Sequence, residues 1–191
     1  TQAAGIFLEM DHGPILVDNN VLVGGGFQSN SENTVLAHNL FVDLRVNYLT
    51  DTRRRSQYFV PHTTKLAGRK TGVPENERWV ANTFVRKGLA TVRPGPGFFS
   101  DHNAFLEGAK QSSFGDEKST VSSFKSDFQI EEQSHGVIVR FRADNNTVET
   151  KPPSVDSEWA GQFPTVKQSL EDRDGQPIRV DRDCLGKRRH H

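Results

Sequence analysis

The chain has 191 residues, enough to bury a core as one domain or as one domain with a small appendage. Its 24 lysines and arginines balance 24 aspartates and glutamates, so no basic field exists to hold nucleic acid or an anionic membrane, and neither is an expected partner. A single cysteine, Cys184, excludes an internal disulfide and a thiolate zinc site, and leans the compartment slightly toward a reducing, cytoplasmic one.

No run of ~18 apolar residues is present to span a bilayer, and the polar opening TQAAG is not a signal peptide. The apolar pattern starts abruptly at Gly5, which suggests that something precedes it. The opening GIFLEMDHGPILVDNN then reads as a strand in which alternation turns Glu9 and Asp11 to one outward face, with Ile6, Leu8 and Met10 inward.

From residue 15 a pattern recurs: ILVDNNVLV, TVLAHNLFV, RWVANTFV and FFSDHNAFL each place an apolar strand, an asparagine and a second short apolar strand. The asparagines are Asn20, Asn39, Asn82 and Asn103, spaced by 19, 43 and 21 residues, the interval of one or two solenoid coils. An asparagine suits a corner between strands because it tolerates the left-handed conformation, and stacked copies can form an amide ladder. These features predict an all-β chain, a right-handed parallel β-helix over 1–110. The competing reading is an antiparallel sandwich with asparagine in its turns. His38 and His102 precede their asparagines where Asn19 and Ala81 stand elsewhere, so they are assigned to structure rather than to metal.

Residues 43–77 interrupt the repeat with a long, varied segment containing Arg53–Arg55, Tyr58 and His62. A long loop with aromatic and histidine side chains on a rigid scaffold is a place for binding groups. The three arginines, like the basic end from Lys187, are read as solvated surface. From 111 the chain turns serine-rich, and FQIEEQSHGVIVRFRAD reads as a hairpin turning at Ser134, His135 and Gly136. This predicts a small antiparallel, sandwich-like module over 111–165. A tail over 166–191 follows, with a turn at Asp174-Gly175 and a returning strand. No segment has a convincing helical period.

The chemistry gathers at the first strand, because paired carboxylates on an outward face suit acid/base work on a sugar chain. Strands stacked at ~4.8 Å would set a carboxylate one coil away at about the 5–5.5 Å of a retaining glycosidase. Glu9 and Asp11, two residues apart, lie ~6.6 Å from each other, nearer an inverting pair. Only Glu9, Asp11 and Asp18 cluster, too few for the calcium site of a lyase, so no metal or cofactor is expected. Asn145–Thr147 is a lone glycosylation-type match.

GIFLEMDHGPILVDNN, NTVLAHNLF, QYFVPHTTKLAGRK, NERWVANTFV and DGQPIRVDRDCLGKR, in this order, resemble glycoside hydrolase family 120, the β-xylosidases. The resemblance runs from about Gly5 to Arg188 and is weakest between Gly108 and Gln168. It implies a parallel β-helix with an associated β-sandwich, and a retaining double displacement releasing xylose from xylo-oligosaccharides. It assigns Glu9 as general acid/base and puts the nucleophilic aspartate one coil earlier, in a segment without counterpart here. His12, His62 and Tyr58, with Asp11, are the candidates for substrate contact or orientation. The expectation is therefore a glycosidase fragment, inactive alone, acting on an oligosaccharide; the alternative is a non-catalytic carbohydrate-binding or surface β-helix. Unpaired strand edges at the first coil also lead us to expect pairing with another copy or aggregation.

Overall fold

The computed structural model describes residues 4–142 and 151–189. The glycosylation-type match at Asn145–Thr147 lies outside the described residues.

Short apolar strands alternate with corners, and the chain visits three sheets in rotation. The first pass lays down β1 (Ile6–Leu8), β2 (Ile15–Asp18) and β3 (Val21–Val23); the second adds β4 (Gly26–Ser29), β5 (Thr34–Ala37) and β6 (Leu40–Val42), each parallel to its counterpart. β7 (Arg45–Tyr48) follows on β4. An antiparallel hairpin of β8 (Asp51–Phe59) and β9 (Leu66–Gly72) then leaves the rotation, so 43–77 is largely strand rather than loop. The chain returns as β10 (Arg78–Val80) and β11 (Thr83–Val85), then as β12 (Phe99–Asp101) and β13 (Ala104–Leu106). The parallel sheets run β1-β4-β7, β12-β10-β5-β2 and β14-β13-β11-β6-β3; they are called here sheets A, B and C. Because β14 (Thr120–Ser122) pairs with β13, the parallel part extends beyond residue 110. The predicted hairpin forms as β15 (Gln129–Gln133) and β16 (Gly136–Arg140), turning at Ser134-His135. One short helix, α1 (Ser157–Ala160), is capped by the Asp156 carboxylate, and the tail makes isolated bridges in place of a regular strand.

The four corner asparagines are in register. The Oδ1 of Asn39 accepts from the Asn20 backbone N–H at 2.9 Å, that of Asn82 from Asn39 at 3.0 Å, and that of Asn103 from Asn82 at 2.9 Å. The left-handed residue is not the asparagine but its predecessor: Asn19, His38, Ala81 and His102 have φ of 55–57°. Asn39, Asn82 and Asn103 are buried and satisfy backbone groups of the adjacent passes, which explains why the residue before each can vary while the asparagine does not; Asn20, at the first pass, is exposed.

Between the sheets lies an apolar stack. Leu22, Phe41, Phe84 and Phe105 share one register row of sheet C, and the Phe84 and Phe105 rings stack at 4.9 Å. Trp79 packs edge-on to Phe27 at 5.3 Å. Sheet B is apolar on both faces, because Val35, Ala37 and Val80 pack outward against Val155, Ala160, Phe163, Leu170 and Val180 of the C-terminal segment. The outward side chains Val42, Val85 and Leu106 of sheet C meet Phe128 and Phe141.

Candidate functional site

β1 ends at Leu8, so Glu9 and Asp11 lie in the corner that follows it rather than on a strand. Met10 between them has φ +56°, which breaks the strict alternation assumed for this stretch and removes Met10 from the interior. Ile6 and Leu8 do pack against the core, and Glu9 is exposed.

The corner is held by the next pass of chain. The Met10 N–H donates to Asn30 Oδ1 at 2.8 Å and the Asp11 N–H to Ser31 Oγ at 2.9 Å, while the Ser56 hydroxyl of β8 donates to the Met10 carbonyl. These bonds fix the backbone on either side of both carboxylates.

His12 is buried. Its Nδ1–H donates to Glu32 Oε1 at 2.7 Å, and both side chains are 1% exposed. Lys70 of β9 donates from Nζ to Glu32 Oε2 at 2.8 Å and to the Thr165 hydroxyl at 3.0 Å. Burial raises the Glu32 carboxyl, but hydrogen bonds from His12, Lys70 and Thr165 outweigh it and hold the group below its ordinary value. The anion thus ties the corner, the hairpin and the C-terminal segment together. With the proton on Nδ1, His12 Nε2 is left as a buried atom without a hydrogen-bond partner. The Tyr58 ring stands edge-on to His12, centroids 5.8 Å apart.

Four of the residues singled out in the sequence converge. Asp11, His12, Tyr58 and His62 line one cleft of about 310 Å³, closed on its far side by Val166 and Gln168. Asp11 is exposed, yet its surroundings desolvate the carboxyl enough to raise it above its ordinary value, opposed by His12. His62, at φ +59°, has Nε2 2.8 Å from Glu171 Oε2, so half of its hydrogen-bonding capacity is spent on the C-terminal segment. Glu9 lies in an adjoining cleft of about 520 Å³ with Phe7, Asn30, Asp51 and Arg53, and Met10 borders both clefts. Arg53, read in the sequence as solvated surface, is exposed, and there Asp51 accepts from its Nε at 2.7 and 3.0 Å and Glu9 adds a longer-range attraction.

Glu32 and Lys70 are the residues the sequence reading missed. Glu32 was within reach: it follows His12 by 20 residues, one pass of the chain, the interval that also sets the asparagine ladder. Lys70 belongs to the hairpin, whose position no periodicity announces. Among the described residues no group of three or more histidine, cysteine, aspartate or glutamate side chains is arranged to hold a metal, and no helix is long and apolar enough to cross a membrane.

No family model matches the chain, and no curated protein matches it in sequence. Among solved structures, the complex of XylC with xylose superposes on it with a TM-score of 0.78 at 19% identity, covering 97% of this chain and 34% of the XylC chain. The chain therefore shares the fold of that part of XylC and spans about a third of its length.

Proposed function

We propose that this chain carries the acid/base half of a retaining glycoside hydrolase of the family 120 β-xylosidase kind, built on a right-handed parallel β-helix. The β-helix reading is supported by the three parallel sheets visited in rotation, by the asparagine ladder, and by the fold shared with XylC over nearly the whole chain. The sugar reading rests on one observation above all: Asp11, His12, Tyr58 and His62, chosen from sequence for contact with a saccharide, come together in one cleft beside Glu9. That XylC was solved with xylose makes a pentose the natural first substrate.

In this mechanism Glu9 protonates the leaving glycosidic oxygen and then deprotonates the attacking water. Asp11 receives hydroxyl protons of the bound sugar in hydrogen bonds, His12, anchored on Glu32, backs the corner that carries both carboxylates, and Tyr58 and His62 wall the cleft. Glu9 follows the Leu8↔Ser29 pair, so the residue beside it, just past the end of β4, is Asn30, which cannot act as nucleophile. The second carboxylate then belongs on the other edge of β1, where a strand at ~4.8 Å would set it at the retaining separation. The 191-residue chain by itself is accordingly expected to bind sugar without turning it over.

Two measurements test this. Xylose or xylobiose titrated into the labelled chain should perturb the resonances of Asp11, His12, Tyr58 and His62 first. In the natural polypeptide that carries this sequence, Glu9→Gln should lower kcat on an aryl β-xyloside by ~10²–10⁴-fold. An unchanged rate beside intact binding would make the protein a non-catalytic carbohydrate-binding β-helix.

A further inference from the structure

The outer faces of sheets B and C are covered by apolar side chains, but among the described residues no such cover lies over sheet A. After β11 the chain does not lay a further strand on β7. Leu89 instead bonds through its N–H to the Lys110 carbonyl at 2.8 Å, and Gly88 lies so close to that carbonyl that an added Cβ would sit 2.3 Å from it. Sheet A therefore ends at β7, and a groove of about 650 Å³ opens between its edge and residues 86–91.

The lining of this groove is one-sided in charge. Arg45, Arg86, Lys87 and Lys110 border it and no carboxylate does. Arg86 is engaged by Asp43 at 2.7 Å and Glu107 at 3.5 Å. Arg45 and Lys110 have no ion-pair partner among the described residues, and Lys87 has only the longer-range attraction of Asp43, which Arg86 already bridges. Three cations left uncompensated around one concavity make an anion site. Gln28 and Asn47 add amides, and the free edge of β7 adds peptide N–H and C=O groups, which suit hydroxyls.

Position supplies the rest. In sheet A, Phe7, Gln28 and Asn47 form one register row. The groove lies toward the N-terminal ends of these strands, at Gly26 and Arg45, and the Glu9 cleft at their C-terminal ends, at Asn30 and Leu49. The two are four residues apart along the strand, roughly 13 Å, on one uncovered face. We infer that the groove is a second sugar subsite, selective for a carboxylate-bearing uronic acid unit of a chain whose other end reaches the Glu9 cleft. The inference rests on the glycosidase reading for the identity of the ligand.

The test is titration of the full chain at low salt, followed by residue-resolved NMR, with three probes: a neutral xylo-oligosaccharide, the same oligosaccharide bearing one glucuronic acid, and inorganic phosphate. The acidic oligosaccharide should bind about tenfold tighter than the neutral one, since an exposed ion pair changes affinity by roughly two- to fivefold and three act together. The advantage should shrink with added salt. It should fall to about twofold in Lys87→Met/Lys110→Met, where Arg45 remains, and halve or more in Arg45→Gln alone, with thermal unfolding unchanged in both. Equal affinity for the neutral and acidic sugars, with shifts at His12 and Tyr58, would overturn the inference and leave the glycosidase reading standing. Phosphate binding as tightly as the uronic acid would overturn the sugar selectivity. Shifts at Asn47 and Lys110 with the acidic sugar but none at His12 with any sugar would uphold the groove and sink the glycosidase reading.

Discussion

Glu77 shows how a single side chain can bind the fold to a pH range. It immediately precedes β10, is 1% exposed, and neither carboxyl oxygen has a hydrogen-bond partner. Burial raises it well above the ordinary carboxylate value, with Thr34 opposing weakly. The phenol of Tyr48, which accepts from Trp79 Nε1 at 2.9 Å, is pushed up by burial and then by Glu77. A carboxyl whose folded value exceeds its unfolded value holds a proton that the unfolded chain releases. Its contribution to stability is therefore complete below the unfolded value of about 4.3 and is lost as pH rises through the folded value. Glu77→Gln removes the titration while leaving a buried polar group, so the change belongs in the slope rather than in the absolute stability. Urea unfolding repeated from mildly acidic to mildly alkaline pH should show the parent losing stability across that window and the variant flatter. Parallel curves for the two proteins would mean that Glu77 carries no such proton.

At the scale of elements the hairpin of β8 and β9 decides whether there is a site. Tyr58 pairs across it with Gly68, and a Cβ on Gly68 would lie 2.6 Å from the Tyr58 hydroxyl oxygen. The ring passes over the glycine to reach His12, so Gly68→Ala should move the ring away from the cleft while the strands stay paired. The expected result is a several-fold weaker response of His12 to xylose with a melting temperature within a few degrees of the parent. Binding left intact would make Tyr58 a packing residue only. The same hairpin marks the limit of what the sequence could disclose. The ladder Asn20, Asn39, Asn82 and Asn103 was legible because Asn39, Asn82 and Asn103 each accept the backbone N–H of the asparagine before them in the ladder, a demand that repeats from pass to pass. Glu9, Asp11, His12, Tyr58 and His62 were legible as residue types in an unusual setting, and the two clefts bring them side by side. Lys70 was not, because its reach to Glu32 and Thr165 depends on how a hairpin folds back over the sheets. Nor was the left-handed Met10, since a hydrophobic residue in a strand-like alternation gives no hint of a corner.

On the scale of the whole molecule, the C-terminal segment is a wall of the core rather than an appendage. Val35, Ala37 and Val80 of sheet B would face water without Val155, Ala160, Phe163, Leu170 and Val180. Arg78 locks the contact, its guanidinium 4.8 Å from the centroid of Phe163 and 5.6 Å from that of Trp159, with Nη1 donating to the Ala160 carbonyl at 2.6 Å. The same segment supplies Thr165 to Lys70 and Glu171 to His62, so the covering of sheet B and the shape of the cleft stand or fall together. Phe163→Ala should cost ~3–5 kcal/mol, and the loss should appear in every probe at once. The two tryptophans provide that comparison, Trp79 inside the parallel sheets and Trp159 in the segment that covers them. In Trp159→Phe and Trp79→Phe backgrounds, the remaining tryptophan should report the same unfolding midpoint, lowered equally by Phe163→Ala. If Trp159 instead melted first while Trp79 held its parental midpoint, the segment would be a detachable cover, and sugar binding would be lost at that first transition, before the sheets unfold.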